Sequence, residues 1–100
     1  MKVQNIESSK GNKIANQFVI TDDKQNEYFQ SYNSMIVKKD YESDQVKIYL
    51  DHKYWNYSNT TGKYRNIFLG ETIKDTKKKI KSGEYLLTDL NKWLKNKNKN

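Results

Sequence analysis

The densest cluster of aromatic side chains lies in one segment of the chain, residues 49–69. This segment contains six of the thirteen aromatic residues. It lies in the basic half of the sequence. Residues 1–50 carry seven basic and seven acidic side chains, whereas residues 51–100 carry twelve and five and account for the whole net charge of +7. Because rings stack on nucleobases and ammonium groups attract phosphates, this combination predicts a surface that binds nucleic acid or another polyanionic partner.

The candidate binding residues fall into two groups. In the aromatic–basic segment, the single arginine could bind a phosphate or carboxylate through two parallel hydrogen bonds. Further along the chain, four lysines spaced i, i+3, i+4 and i+7 share one face of a predicted helix and repel each other unless an anion faces them. The candidates are Lys53, Tyr54, Tyr57, Lys63, Tyr64, Arg65, Lys74, Lys77, Lys78 and Lys81.

Each candidate also has a purely structural interpretation. Trp55 and Phe68 are expected in the core, because a chain with only 34% apolar residues needs every large side chain there. A core position suits the three candidate tyrosines as well as a surface position does. The lysines would equally form a solvated helix face.

Few residues could support catalysis. His52, the only histidine, is predicted to lie exposed in a loop, and the chain has no cysteine, no run of metal ligands and no phosphate-binding glycine loop. Tyr54, Tyr57, Arg65 and Glu71 could form a nuclease-like set, but no motif of such enzymes surrounds them. We therefore expect a protein that is not an enzyme and binds no cofactor or metal. A small metal-dependent nuclease is the alternative.

The length and the hydropathy pattern predict one domain over residues 1–94, followed by a disordered Lys/Asn tail over residues 95–100. No apolar run exceeds three residues, which predicts neither a transmembrane helix nor a signal peptide. The absence of cysteine fits a reducing cytoplasm. We expect a cytoplasmic protein with no membrane partner.

Four segments of the N-terminal half show the pattern of short strands, namely residues 12–21, 27–32, 35–38 and 45–51. The last is the clearest, because Val46, Ile48 and Leu50 alternate with polar or aromatic residues. Polar turns separate the segments. The pattern predicts a four-stranded antiparallel sheet with one solvated face.

The C-terminal half has the helical period. Thr60 or Thr61 is the predicted cap of a first helix that Gly70 ends. A second helix begins at a Thr72–Asp75 capping box and ends at Ser82-Gly83. Leucines and Trp93 over residues 86–94 predict a third, amphipathic helix, with a short strand over residues 85–87 as the competing prediction. The expected fold is α+β, with two or three short helices covering one face of the sheet.

Several long, polar segments of the chain carry a resemblance. They read YFQSYNS, IYLD, YWNYS, TTGKYRN, FLGET and KIKSGEY. On these segments, residues 13–91 resemble a family of small uncharacterised proteins from phages, plasmids and other mobile elements of low-GC Gram-positive bacteria. No activity, cofactor or binding residue carries over from the family.

The resemblance implies a context. It indicates a non-enzymatic accessory protein that binds a host protein or nucleoprotein complex in the bacterial cytoplasm, such as a CRISPR effector, as an anti-CRISPR-type inhibitor. A basic chain does not suit DNA mimicry, which needs an acidic surface, so such an inhibitor would contact RNA, DNA or an acidic patch. The alternative is a direct nucleic-acid-binding module that uses the aromatic and basic side chains. The sequence leaves the oligomeric state open.

Overall fold

A computed structural model describes residues 1–92 as one sheet with two helices. The strands are β1 (Lys2–Glu7), β2 (Lys13–Thr21), β3 (Glu27–Ser31), β4 (Ser34–Asp40), β5 (Lys47–Asp51) and β6 (Tyr85–Thr88). The helices are α1 (Asn59–Leu69) and α2 (Ile73–Ser82). The six strands lie in the sheet in chain order. Neighbours from β1 to β5 are antiparallel, whereas β5 and β6 are parallel and α1 and α2 form the crossover between them.

The α+β class is correct, but the predicted four-stranded antiparallel sheet is wrong, because the sheet is mixed and has six strands. The predicted strands correspond to β2–β5, and β1 was missed. As an edge strand with a single neighbour, β1 buries only Ile6 and leaves Val3 exposed, so its sequence alternates weakly. Val46, predicted to lie in the last strand on the same face as Ile48 and Leu50, is 52% exposed and precedes β5.

The C-terminal prediction also needs a correction. Leu86 and Leu87 belong to β6, so the third helix predicted over residues 86–94 is wrong at its start, and the competing strand prediction is confirmed. Both leucines are more than two-fifths exposed, and consecutive exposed leucines fit a helical stripe as well as an edge strand. Trp93, Leu94 and the predicted tail over residues 95–100 lie outside the described residues.

Both helices end as predicted, whereas the N-cap of α1 lies two or three residues before the predicted Thr60 or Thr61. Its N-cap is Ser58, whose hydroxyl accepts a hydrogen bond from the N–H of Thr61 at 3.1 Å. Gly70 closes α1 in the left-handed conformation at φ 70°. In α2 the Thr72–Asp75 capping box is present.

The helices pack against one face of the sheet and form the core there. Phe29 of β3 is fully buried and stacks on Phe68 of α1 with ring centroids 5.9 Å apart. Ser31, two residues along the same strand, hydrogen-bonds to Thr61 of α1. The buried apolar cluster consists of Ile6, Phe29, Ile36, Val37, Leu50 and Tyr85. Trp55 and Phe68 pack against it, as predicted.

The opposite face carries the alternate residues of each strand. There Tyr28, Lys38 and Tyr49 are direct neighbours on β3, β4 and β5, and all three are half-buried. The Lys38 ammonium lies 5.7 Å from the centroid of the Tyr28 ring. The sheet therefore has one face covered by α1 and α2 and a second face lined by rings and a lysine.

A buried carboxylate joins α2 to β6. Glu71, in the α1–α2 connection, has a side chain only 6% exposed and accepts hydrogen bonds from Thr76, Lys79 and Tyr85. Burial alone would raise the pKa of Glu71, but these hydrogen bonds outweigh it and hold the pKa below its ordinary value. Burial, and then the bond to Glu71, raises the pKa of Tyr85 to about 12. The Glu71 cluster thus holds α2 against the first residue of β6, where the chain returns to the sheet.

Replacing this carboxylate should destabilise the fold and remove part of its acid sensitivity. We expect Glu71→Gln to lower the free energy of unfolding by about 2 kcal/mol, below the ~3–5 kcal/mol for a fully buried pair because Lys79 is partly exposed. The folded-state pKa of Glu71 lies below the unfolded-state value. Its stabilising contribution is therefore complete above about pH 4.3 and is lost as the pH falls through the folded-state pKa.

Urea denaturation at a series of pH values measures both effects. Glu84→Gln is the matched control, because Glu84 is exposed and its substitution removes the same charge. Equal stability of Glu71→Gln and Glu84→Gln at pH 7 would contradict a structural role for the cluster.

Candidate functional site

The loop between β5 and α1, residues 52–58, carries the first part of the aromatic–basic segment and is anchored by Asp51. This carboxylate is 1% exposed. Its Oδ2 accepts hydrogen bonds from the backbone N–H groups of Lys53 and Tyr54, and its Oδ1 accepts one from Leu90. One buried side chain thus holds the start of the loop and the segment that follows β6.

The three candidate tyrosines differ in how exposed their side chains are. Tyr57 is 68% exposed, whereas Tyr54 and Tyr64 are half-buried and pack against the core cluster. The rings of Tyr54 and Tyr57 meet edge to face, with centroids 5.5 Å apart. Tyr57 is therefore a surface residue, and Tyr54 has both a core and a surface role.

A cleft of about 480 Å³ lies between the β3–β4 turn and the start of α1. We call it the tyrosine cleft, because Tyr32, Tyr54 and Tyr57 line it. Ser31 and Thr61 also line it, and their hydroxyls are 2.9 Å apart. The remaining lining residues are neutral, so the cleft offers rings, hydroxyls and amides and no charged side chain.

Tyr32 is a residue that the sequence did not identify. It was predicted to end a strand, but it is the first residue of the two-residue β3–β4 turn, and its backbone is left-handed at φ 55°. Asn33-Ser34 was the predicted turn, so the shift of one residue moves the tyrosine from the sheet to the cleft. A two-residue hairpin turn needs a positive φ, but its usual indicator is glycine or asparagine, not tyrosine.

Two candidate lysines stand beside candidate rings. Lys53 and Lys63 are exposed, and each ammonium lies 5.4 Å from a ring centroid, that of Tyr54 and that of Tyr64 respectively. Lys53 thus places a positive charge at a ring that lines the tyrosine cleft.

Arg65 is buried, and its guanidinium bonds to other groups of the protein. It is 1% exposed, and its Nη1 donates to the Trp55 carbonyl at 2.7 Å and to Asn56 Oδ1 at 3.1 Å, while its Nη2 donates to Asn66 Oδ1 at 2.9 Å. The guanidinium also lies 5.4 Å from the Trp55 ring centroid. Arg65 therefore fastens the β5–α1 loop to α1, and its donors are not presented to a ligand at the surface.

The remaining four candidates form one surface, which we call the lysine face: Lys74, Lys77, Lys78 and Lys81 of α2. All four are exposed, and none takes part in the ion pairs found within residues 1–92. Lys79, on the other side of the helix, pairs with Glu71 at 2.8 Å. The buried side of α2 is narrow, with Thr76 fully buried and Ile80 packed against the core.

Arg65 and Glu71, two residues of the nuclease-like set, bond to different partners inside the fold. Arg65 bonds to Trp55, Asn56 and Asn66, whereas Glu71 bonds to Thr76, Lys79 and Tyr85. The two side chains share no hydrogen bond or ion pair. Both Nη atoms of Arg65 and both carboxylate oxygens of Glu71 bond within the fold, whereas the buried Nε of Arg65 has no hydrogen-bond partner.

His52 is exposed, as predicted. Within residues 1–92, no three histidine, aspartate or glutamate side chains lie close enough together to hold a metal ion. Over the same residues, no helix is both long enough and apolar enough to cross a membrane.

Arg65→Lys should lower the free energy of unfolding by about 2 kcal/mol. A lysine ammonium cannot keep the forked geometry that serves three acceptors, so at least one charge-assisted hydrogen bond is lost. Urea denaturation measures the loss, and Lys63→Ala on the exposed side of the same helix serves as the control. Unchanged stability together with weaker binding to a polyanion would instead place Arg65 in the interface.

Comparison with curated proteins and with solved structures found no match. The model of a family of unknown function, DUF8033, matches residues 1–85, which include every strand up to the first residue of β6 and both helices. The chain belongs to that family.

Proposed function

We propose that the protein is a non-catalytic binding protein that contacts the phosphates of a nucleic acid through the lysine face. One observation carries the proposal. Four exposed lysines on one side of α2 have no carboxylate partner within residues 1–92, although Lys79 of the same helix has one.

The electrostatic argument is direct. Lysines three or four residues apart on a helix repel each other by a few tenths of a kcal/mol per pair. The fold neutralises the inward-facing lysine of α2 with Glu71 and leaves the outward-facing four uncompensated. A row of phosphates removes that repulsion, and the release of condensed counterions adds to the affinity.

The resemblance to proteins of mobile elements supports a particular setting for this binding. In that setting the nucleic acid belongs to a host nucleoprotein complex in the bacterial cytoplasm, and the protein acts as an accessory factor. A nucleic-acid-cutting defence complex such as a CRISPR effector is the target we favour, with inhibition as the outcome. A non-catalytic role is supported by Arg65 and Glu71, the charged residues of the nuclease-like set, because both Nη atoms of the arginine and both carboxylate oxygens of the glutamate bond within the fold.

The salt dependence of binding tests the proposal. We expect the slope of log affinity against log salt for duplex DNA to be steep, at about −0.9 per neutralised phosphate. Replacing Lys74, Lys77, Lys78 and Lys81 together by Gln should flatten that slope by up to about 4 units. Fluorescence anisotropy at several salt concentrations gives both values.

A matched variant separates a local footprint from overall charge. Replacing Lys2, Lys10, Lys13 and Lys47 by Gln removes the same charge from exposed positions on β1, β2, β5 and the β1–β2 turn. If both quadruple variants flatten the slope equally, the lysine face is not the interface. Capture of a defined host protein from a nuclease-treated lysate, unaffected by the α2 substitutions, would also contradict the proposal.

A further inference from the structure

We propose that the tyrosine cleft binds an unpaired nucleobase, so that the ligand is a single-stranded nucleic acid. The inference rests on the proposed function and names the class of nucleic acid. Two independent observations support it, the chemistry of the cleft and the backbone conformation of Tyr32.

The cleft has the chemistry that an unstacked base requires. A base has a flat apolar face and an edge of neutral donors and acceptors, and the cleft supplies three rings together with hydroxyl and amide groups. Its volume of about 480 Å³ accommodates one base with room to spare. The lining contains no charged side chain, which matches a neutral base and disfavours a phosphate inside.

Positive charge is present beside the cleft instead. The Lys53 ammonium is 5.4 Å from the ring centroid of Tyr54, and Lys53 is exposed. A ring that takes the base, next to an ammonium that takes the backbone phosphate, is the arrangement by which proteins hold single strands. A hydrophobic peptide side chain would use the rings but would gain nothing from the ammonium, so nucleic acid is the better match. In a duplex the bases remain stacked and cannot enter the cleft.

Tyr32 supplies the second observation. A bulky residue at φ 55° is an outlier, because its Cβ crowds the backbone; glycine has no Cβ, and asparagine offsets the crowding with local hydrogen bonds of its short side chain. The conformation is held by hydrogen bonds of 2.7 Å from the Tyr32 N–H to the Asn16 carbonyl and from Gln30 Nε2 to the Tyr32 carbonyl. The ring is not needed for the core, because Tyr32 is 50% exposed. The strained backbone at this position costs free energy, and what the tyrosine adds there is a ring that lines the cleft.

The test compares single-stranded and duplex probes. Fluorescence anisotropy is measured with a labelled oligodeoxythymidine of about 12 nucleotides and with a duplex of the same length. We expect Tyr57→Ala and Tyr32→Gly each to weaken binding to the single strand by roughly 5- to 150-fold, the usual range for losing one stacked base. Binding to the duplex should not change.

Three variants distinguish a loss of binding from a loss of stability. Tyr32→Gly removes the ring and relieves the backbone, so its melting temperature should equal or exceed that of the wild type. Tyr57→Phe keeps the ring and should bind the single strand as the wild type does. Asn16→Gly relieves the neighbouring left-handed residue, at φ 64°, without removing a ring, and should leave binding unchanged.

The failures of the two proposals differ. If both tyrosine variants bind the single strand as tightly as the wild type, while the quadruple lysine variant binds it more weakly, the cleft proposal alone is overturned. If the wild type binds neither probe, the proposed function and the cleft proposal are both overturned.

Discussion

Pairing β5 parallel to β6 obliges the chain to leave the sheet after Asp51 and to return to it at Tyr85. Every candidate binding residue that the sequence identified lies in this crossover, residues 52–84. Its start is fastened to the C-terminal end of β6. The His52 N–H donates to the Thr88 carbonyl, and Asp51 accepts from Leu90. The lysine face and one wall of the tyrosine cleft therefore depend on this one crossover, and β3, β4 and their turn supply the other wall of the cleft.

The fold uses some of its cations internally and leaves others at the surface. Arg65 satisfies carbonyl oxygens in the β5–α1 loop, Lys79 pairs with Glu71, and Lys39 donates to the Phe68 carbonyl above the ring of the same residue. Burial lowers the pKa of Lys39. In each case the charge fastens a helix or loop that a small apolar core would hold only weakly. The charge available to a partner is what remains after these structural uses. The exposed lysines of α2 therefore describe that charge better than the total of +7 does.

The sequence predicted what depends on local patterns and missed what depends on pairing across the chain. The strands β2–β5, the Thr72–Asp75 capping box and the ends of both helices follow from residue spacing and from Gly70 and Gly83. The edge strands β1 and β6 have one neighbour each, and half-exposed strands lack the alternation that marks a strand with two neighbours. The outward side of α2 was also predictable, because four lysines at helical spacing can share only one face. The burial of Arg65 was not, since its acceptors are carbonyl oxygens whose positions only the folded loop defines. Nor was the role of Tyr32, which depends on a one-residue shift of a turn.

The sequential order of the strands also determines how the molecule assembles. Each antiparallel pair from β1 to β5 closes a short connection, and closing short connections costs little chain entropy. Joining β6 to β5 closes the longest connection in the described chain and needs two helices in place. On a ribosome, which releases the chain from its N-terminus, the meander can form while α1, α2 and β6 are still to come. The strands of the meander therefore leave the ribosome before any residue of the lysine face does, and the helices that complete the core on one face of the sheet follow them.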